Sequence, residues 1–234
     1  MISETLPLSE HELIGATECA AIAHRVLGLR SHWTRRSSGE FYSLGAASYL
    51  DATRGPEPYL AAARVTNKLL LDHFGGLYDR IVAFFRELLD EEVSLDVERA
   101  APGFHVFVLR GEDRGGDNPA RRAHFDHQWR LAYPGARPEG TLSFTLAIAT
   151  PSGGAGMALW PLRCDQPDRS SRDAWSRTLE QTPQLVPYAP GRMVLHDGLM
   201  LHAIGAAPAA RATGHRITLQ GHGVRFGGQW RLYW

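Results

Sequence analysis

The sequence predicts a mainly β fold, a barrel-like or jelly-roll domain with helices packed on its outside. Three observations lead there. Apolar residues recur at helical spacing up to about residue 92, and the texture changes from about residue 93 to short apolar or alternating runs. Those runs are separated by clusters of Gly, Pro, Asp and Asn, as strands joined by turns require. The chain shows no internal repeat and no low-complexity tract, so one closed β domain suits it better than an array.

The elements follow in order. Residues 9–28 (SEHELIGATECAAIAHRVLG) predict a helix with Ser9 as N-cap and Gly28 as its stop. Residues 57–72 and 75–90 predict two more; the second places Leu77, Ile81, Phe84, Phe85, Leu88 and Leu89 on one broad face. Strands are expected at 104–110, 122–127, 141–149, 156–160, 192–196, 201–204, 215–223 and near 229–233. Turn signals stand between them: GEDRGGDNPA, YPGARPEG, TPSGGAG and APGR. We expect residues 1–92 to be a mainly helical region that buttresses a β core at 93–234, the two forming one integrated domain. A homodimer interface on the helices is the alternative use for them.

Composition narrows the function. Charge balances at 25 basic and 25 acidic residues, which argues against nucleic acid as the main partner. No apolar run approaches the roughly 20 residues a membrane span needs. The segment MISETLPLSEHELIG has no basic start followed by an apolar core, and Cys19 and Cys164 form no CxxC pair. A reducing cytoplasm is therefore the expected location. Of the 25 basic residues only Lys68 is lysine, so any fixed anchor for a carboxylate is expected to be an arginine, whose planar fork suits it.

The chemistry starts at AHFDHQW, residues 123–129. On a strand, residues i and i+2 face the same way. His124 and Asp126 then project together into a barrel and Phe125 points out, giving two legs of a metal site. A third leg is offered by His202, in the apolar stretch LMLHAIG. A single strand histidine is more often structural. Two later residues outweigh that reading: Arg216, and Thr218 on the same face, make a place for a carboxylate.

HFD at 124–126, LHAIG at 201–205 and RIT at 216–218 resemble the iron(II)/2-oxoglutarate-dependent oxygenase superfamily, whose motif is His-x-Asp…His with a later Arg-x-Ser/Thr. The runs APGRMVLHDGLMLHAIGAAP and TLSFTLAIATPSGGAGMALWP resemble the family's segments around and before the distal histidine. The likeness covers roughly residues 100–234. It implies a double-stranded β-helix (jelly-roll, cupin-like) core. It further implies Fe(II) held by His124, Asp126 and His202, with 2-oxoglutarate chelating the iron and reaching Arg216 and Thr218 through its far carboxylate. O2 would be the oxidant and succinate a product. Related halogenases carry Gly or Ala in place of the aspartate, so Asp126 implies hydroxylation or another oxygenase outcome. The expected substrate is a small molecule such as an amino acid or biosynthetic intermediate, with a protein side chain as runner-up.

Other residues compete. His127 is expected to be structural or on a rim, and His196 to make at most a contact behind the ligands. His105 and His222 are placed as cavity-lining or simply buried. Arg121 and Arg122 flank the motif as a solvated strand entry or an acid-binding pair. Trp129 and Trp160 read as core rather than as an aromatic wall. Arg211 is the alternative anchor for the cosubstrate. A cupin-type dioxygenase or isomerase and a non-enzymatic jelly-roll binding module stay open beside the oxygenase.

Overall fold

The structure, a computed structural model, describes residues 8–36, 40–110, 123–152, 155–165, 172–205 and 213–234. In chain order the elements are β1 (Ser9–Glu12), α1 (Ala16–Gly28), a 3-10 turn (Arg30–His32), β2 (Thr34–Arg35), β3 (Phe41–Leu44), α2 (Ser48–Asp51), α3 (Pro56–Leu89) and β4 (Glu92–Leu95). Then come β5 (Gly103–Arg110), α4 (Trp129–Ala132), β6 (Gly140–Ala149), β7 (Gly156–Arg163), α5 (Arg172–Leu179) and β8 (Gln184–Pro187). The chain closes with β9 (Arg192–His196), β10 (Met200–Gly205), β11 (Thr213–Phe226) and β12 (Gln229–Tyr233).

These strands make two sheets. The larger runs β1-β9-β6-β11-β5-β3-β2, and the smaller β10-β7-β8. β11 is the long member. Its first part pairs with β5 and its second with β12, while β6 runs along its other edge. β4 lies parallel to β12.

Alternation along the strands decides which residues face where. One face of the large sheet carries Phe104, Val106, Leu142, Phe144, Leu146, Ile148, Ile217 and Leu219, all buried. It packs against Cys19, Ile22 and Val26 of α1 and Leu70, Phe74, Leu77, Tyr78, Ile81 and Phe85 of α3. The opposite face turns toward the small sheet, where Ala147 and Val194 meet Met157, Leu159, Val186 and Tyr188. Behind the small sheet, Trp160, Leu162, Leu201 and Ala203 are covered by Phe125 and by Trp175 and Leu179 of α5.

Three local expectations change. Residues 9–12 form a strand, and the helix begins only at Ala16; Ser9 to Glu12 pair with Leu195 to Arg192 on the edge of β9. That edge supplies partners for backbone groups that a helix start would leave unpaired. The two helices expected at 57–72 and 75–90 are merged, with a kink where Phe74 leaves helical geometry (φ −132°) just before Gly75 and Gly76. Within residues 122–127 the described part is no regular strand but a single bridge between His124 and His202.

Candidate metal centre

That bridge builds the site. The His124 amide donates to the His202 carbonyl (2.8 Å) and the His202 amide returns to the His124 carbonyl (3.0 Å). Two residues on, the Asp126 amide donates to the Gly198 carbonyl (2.9 Å). Residues 124–126 thus lie as one bridged edge beside β10. His124 and Asp126 turn to one side and Phe125 turns back under Trp175 (ring centroids 5.3 Å), as the i, i+2 argument requires.

His124, Asp126 and His202 are brought together, one ligand atom from each lying within 4.8 Å of the others. His124 Nε2 is 3.5 Å from Asp126 Oδ1 and His202 Nε2 is 3.4 Å from Asp126 Oδ2. Adjacent ligands on an octahedral ion with bonds near 2.1 Å stand about 3 Å apart, so the three fit one face of such an ion with little movement. Asp126 and His202 are buried, while the His124 side chain is 45% exposed and forms the open side. Burial alone would push the Asp126 carboxyl up. The imidazoles of His202 and His124 outweigh it and hold Asp126 well below the usual carboxylate range.

The hydrogen bonds also fix tautomers. His202 Nδ1 lies 2.8 Å from the Met200 carbonyl, which can only accept, so Nδ1 carries a proton and Nε2, facing Asp126, is the nitrogen left to offer a metal. His196 is the reverse. The Gly198 amide donates to its Nδ1 (3.0 Å), so the neutral ring carries its proton on Nε2, 3.9 Å from Asp126 Oδ2. Burial and the neighbouring His202 pull His196 down to about 3, so it stays neutral. His202 can therefore offer Nε2 to a metal, whereas neutral His196 presents a donor there.

The centre opens on a cavity of about 180 Å³ between the sheets. Phe41, Tyr49, Phe107, Met157, Tyr188 and Ile204 give it apolar and aromatic walls; Gln128, Ser143, Thr145, Gln220 and the histidines 105, 196 and 222 give it polar ones. His105 meets the Tyr49 hydroxyl (2.6 Å), and His222 Nδ1 meets Ser143 Oγ (2.9 Å). Burial holds both histidines below their ordinary range, so neither adds charge near neutral pH. Gln128 donates to Asp126 Oδ1 (2.7 Å).

Arg216 and Thr218 are buried on the cavity side of β11, in alternation with Ile217 and Leu219 on the helix side. They stand behind the lining rather than in it. The Arg216 guanidinium lies 3.7 Å from the centre of the Phe107 ring, and its charge reaches both His105 and Tyr188. His127 turns away from the centre toward Cys164 Sγ (3.2 Å). Trp160 is buried behind the small sheet, and Trp129 packs on the cluster around Tyr59 and Trp234. Arg121, Arg122 and Arg211 lie outside the described residues. Sequence reasoning missed Gln128, Tyr49 and Tyr188. Only Gln128 left a signal, a polar side chain two residues after a carboxylate ligand.

No protein-family model and no curated protein matches the chain. Solved structures do. An N-substituted L-amino acid dioxygenase from Burkholderia ambifaria AMMD superposes with a TM-score of 0.57 at 19% identity, over 97% of this chain and 85% of that one. The chain has this fold. The same dioxygenase in complex with alpha-KG aligns equally, with a TM-score of 0.57. A non-heme alpha ketoglutarate dependent epimerase from nogalamycin biosynthesis, SnoN, aligns with a TM-score of 0.53 at 18% identity, over 94% of this chain and 82% of that one. The jelly-roll core expected from the strand pattern is thus present, and no described helix is long and apolar enough to cross a membrane.

Proposed function

We propose that the protein is an Fe(II)- and 2-oxoglutarate-dependent oxygenase acting on a small molecule. The observation that carries this is the facing of His124, Asp126 and His202, with the His202 proton parked on Nδ1 so that Nε2 is free to ligate. Two imidazoles and one carboxylate on one face are the donor set of non-haem iron oxygenases. With iron(II), 2-oxoglutarate and O2 bound, that centre supplies oxidation of an unactivated C–H bond coupled to decarboxylation of 2-oxoglutarate to succinate.

The chain's own residues do the rest. His124, Asp126 and His202 hold the metal. Arg216, assisted by Thr218, would take the far carboxylate of 2-oxoglutarate; what supports this is that both lie on the cavity side of β11, with Arg216 against the cavity-lining Phe107. The aromatic and apolar walls exclude water and orient the substrate. Asp126 occupies the position that a halogenase must leave open, which favours hydroxylation or a related oxidation. The fold serves a dioxygenase and an epimerase among its neighbours, so the outcome is set by the site and not by the fold. An amino acid or a biosynthetic intermediate is the substrate class we favour.

Succinate release tests the reading. Protein supplied with Fe(II), ascorbate, 2-oxoglutarate and air, screened against amino acids and metabolites, is expected to release succinate above background for at least one class. Asp126→Ala is expected to release none. Succinate release unaffected by Asp126→Ala, or absent across the panel, would count against it.

A further inference from the structure

Gln128, like His105, is a cavity residue whose bonding among the described residues is left half made, and it is the one that touches a residue of the metal centre. It is 8% exposed and lines the cavity two residues after Asp126. Its backbone is fixed by the start of α4, where the amides of Leu131 and Ala132 donate to its carbonyl (2.9 and 3.0 Å). Its Nε2 donates to Asp126 Oδ1 at 2.7 Å. The direction of that bond is dictated, because an ionised carboxylate only accepts and the amide nitrogen must face it. Oε1 is thereby turned away from Asp126, and it is buried with no hydrogen-bond partner among the described residues. Buried acceptors are rarely left so, and an unmet one beside a binding cavity marks where a donor arrives.

We propose that Gln128 couples the metal centre to the substrate. Its nitrogen ties down Asp126 Oδ1, so that Oδ2 alone is offered to the metal. Its oxygen accepts a hydrogen bond from an N–H or O–H group of the substrate. This rests on the metal-centre reading above and narrows it: the substrate carries a hydroxyl or amine hydrogen close to the carbon that is oxidised. His196 presents a donor, and Ser143 and His222 are engaged with each other. A site built around such an acceptor rejects an analogue that lacks the donor.

Two measurements on the full chain test it, using Gln128→Met, similar in length and without polar donors or acceptors, and Gln128→Asn, which keeps the amide but falls short of both contacts. In the first, Co(II) is titrated with 2-oxoglutarate present and followed by visible absorption. Both variants are expected to bind Co(II) about 10–100-fold more weakly and with an altered spectrum. Wild-type affinity and spectrum in a folded variant would overturn the tie to Asp126. A wild-type protein that takes up no Co(II) would overturn the metal-centre reading itself, a distinct failure. In the second, ligand-observed NMR compares cyclopentanol with cyclopentanone on the Zn(II) and 2-oxoglutarate form. These probes match in size and differ in the hydroxyl donor. Wild type is expected to favour the alcohol several-fold and the variants to lose that preference. No preference in wild type, or one that survives Gln128→Met, overturns the substrate contact.

Discussion

His196 and His202 sit in one segment, both buried, with ring centroids 4.7 Å apart, yet only one is fit to ligate. A carbonyl facing Nδ1 leaves Nε2 as the nitrogen that His202 can offer a metal, and an amide facing Nδ1 puts the proton of neutral His196 on Nε2. This difference lies in backbone placement two residues away from each ring, so it cannot be read from a string that shows two histidines near a turn. The meeting of His124, Asp126 and His202 was legible because ligand chemistry restricts residue types and i, i+2 spacing places two of them on one side. Gln128 was not, because its role comes from the turn into α4. Arg216 carries the next prediction. Arg216→Ala is expected to weaken 2-oxoglutarate binding about 10- to 150-fold, the worth of a hydrogen bond between charged partners, with a much smaller effect on Co(II) affinity. Isothermal titration of each ligand separates the two, and equal losses would contradict the anchor. Arg216→Lys should fall between, since it keeps the charge and loses the fork.

The elements that position the site were legible where strands are long and half buried. β5, β6, β9, β10, β11 and β12 fall on the expected runs, because alternation across a sheet with one apolar face is a strong signal. The short pieces were not. β1 reads SEHE, polar and cap-like, and is a strand only because β9 offers it an edge. β2, β3, β4 and β8 span two to four residues each, too few for a period to show. β11 bears the heaviest demand, since Arg216, Thr218, Gln220 and His222 all face the cavity side from it. Gly221 lets this strand lie close over Phe144. A Cβ there would stand 2.5 Å from Phe144 Cζ and 2.9 Å from Pro102 Cβ, and the Phe144 ring is backed by Phe85 at 5.1 Å. Gly221→Ala is expected to cost about 1–3 kcal/mol, as overpacking of a filled core does. Urea unfolding checks it; an unchanged midpoint would mean that the ring retreats freely.

For the whole molecule, the change of texture near residue 93 marks where the long helix ends, but the large sheet draws on both sides of it. β1, β3 and β4 from the first 95 residues pair with β9, β5 and β12, and β2 extends the sheet by pairing with β3. Phe41 and Tyr49 from that part also line the cavity. Such pairings depend on contacts distant in sequence and leave no local pattern, which is why the jelly-roll class was legible and the N-terminal contribution to its sheet was not. The fold brings His124 and His202 side by side from far apart in the chain, and iron binding at that meeting is the property on which the proposed activity depends. An anaerobic titration of Fe(II) and 2-oxoglutarate, followed by the weak visible charge-transfer absorption of their complex, tests it most directly. The band is expected in wild type and in His196→Gln, and is expected to be absent in His202→Ala. A band that survives His202→Ala, or no band in wild type, would contradict it.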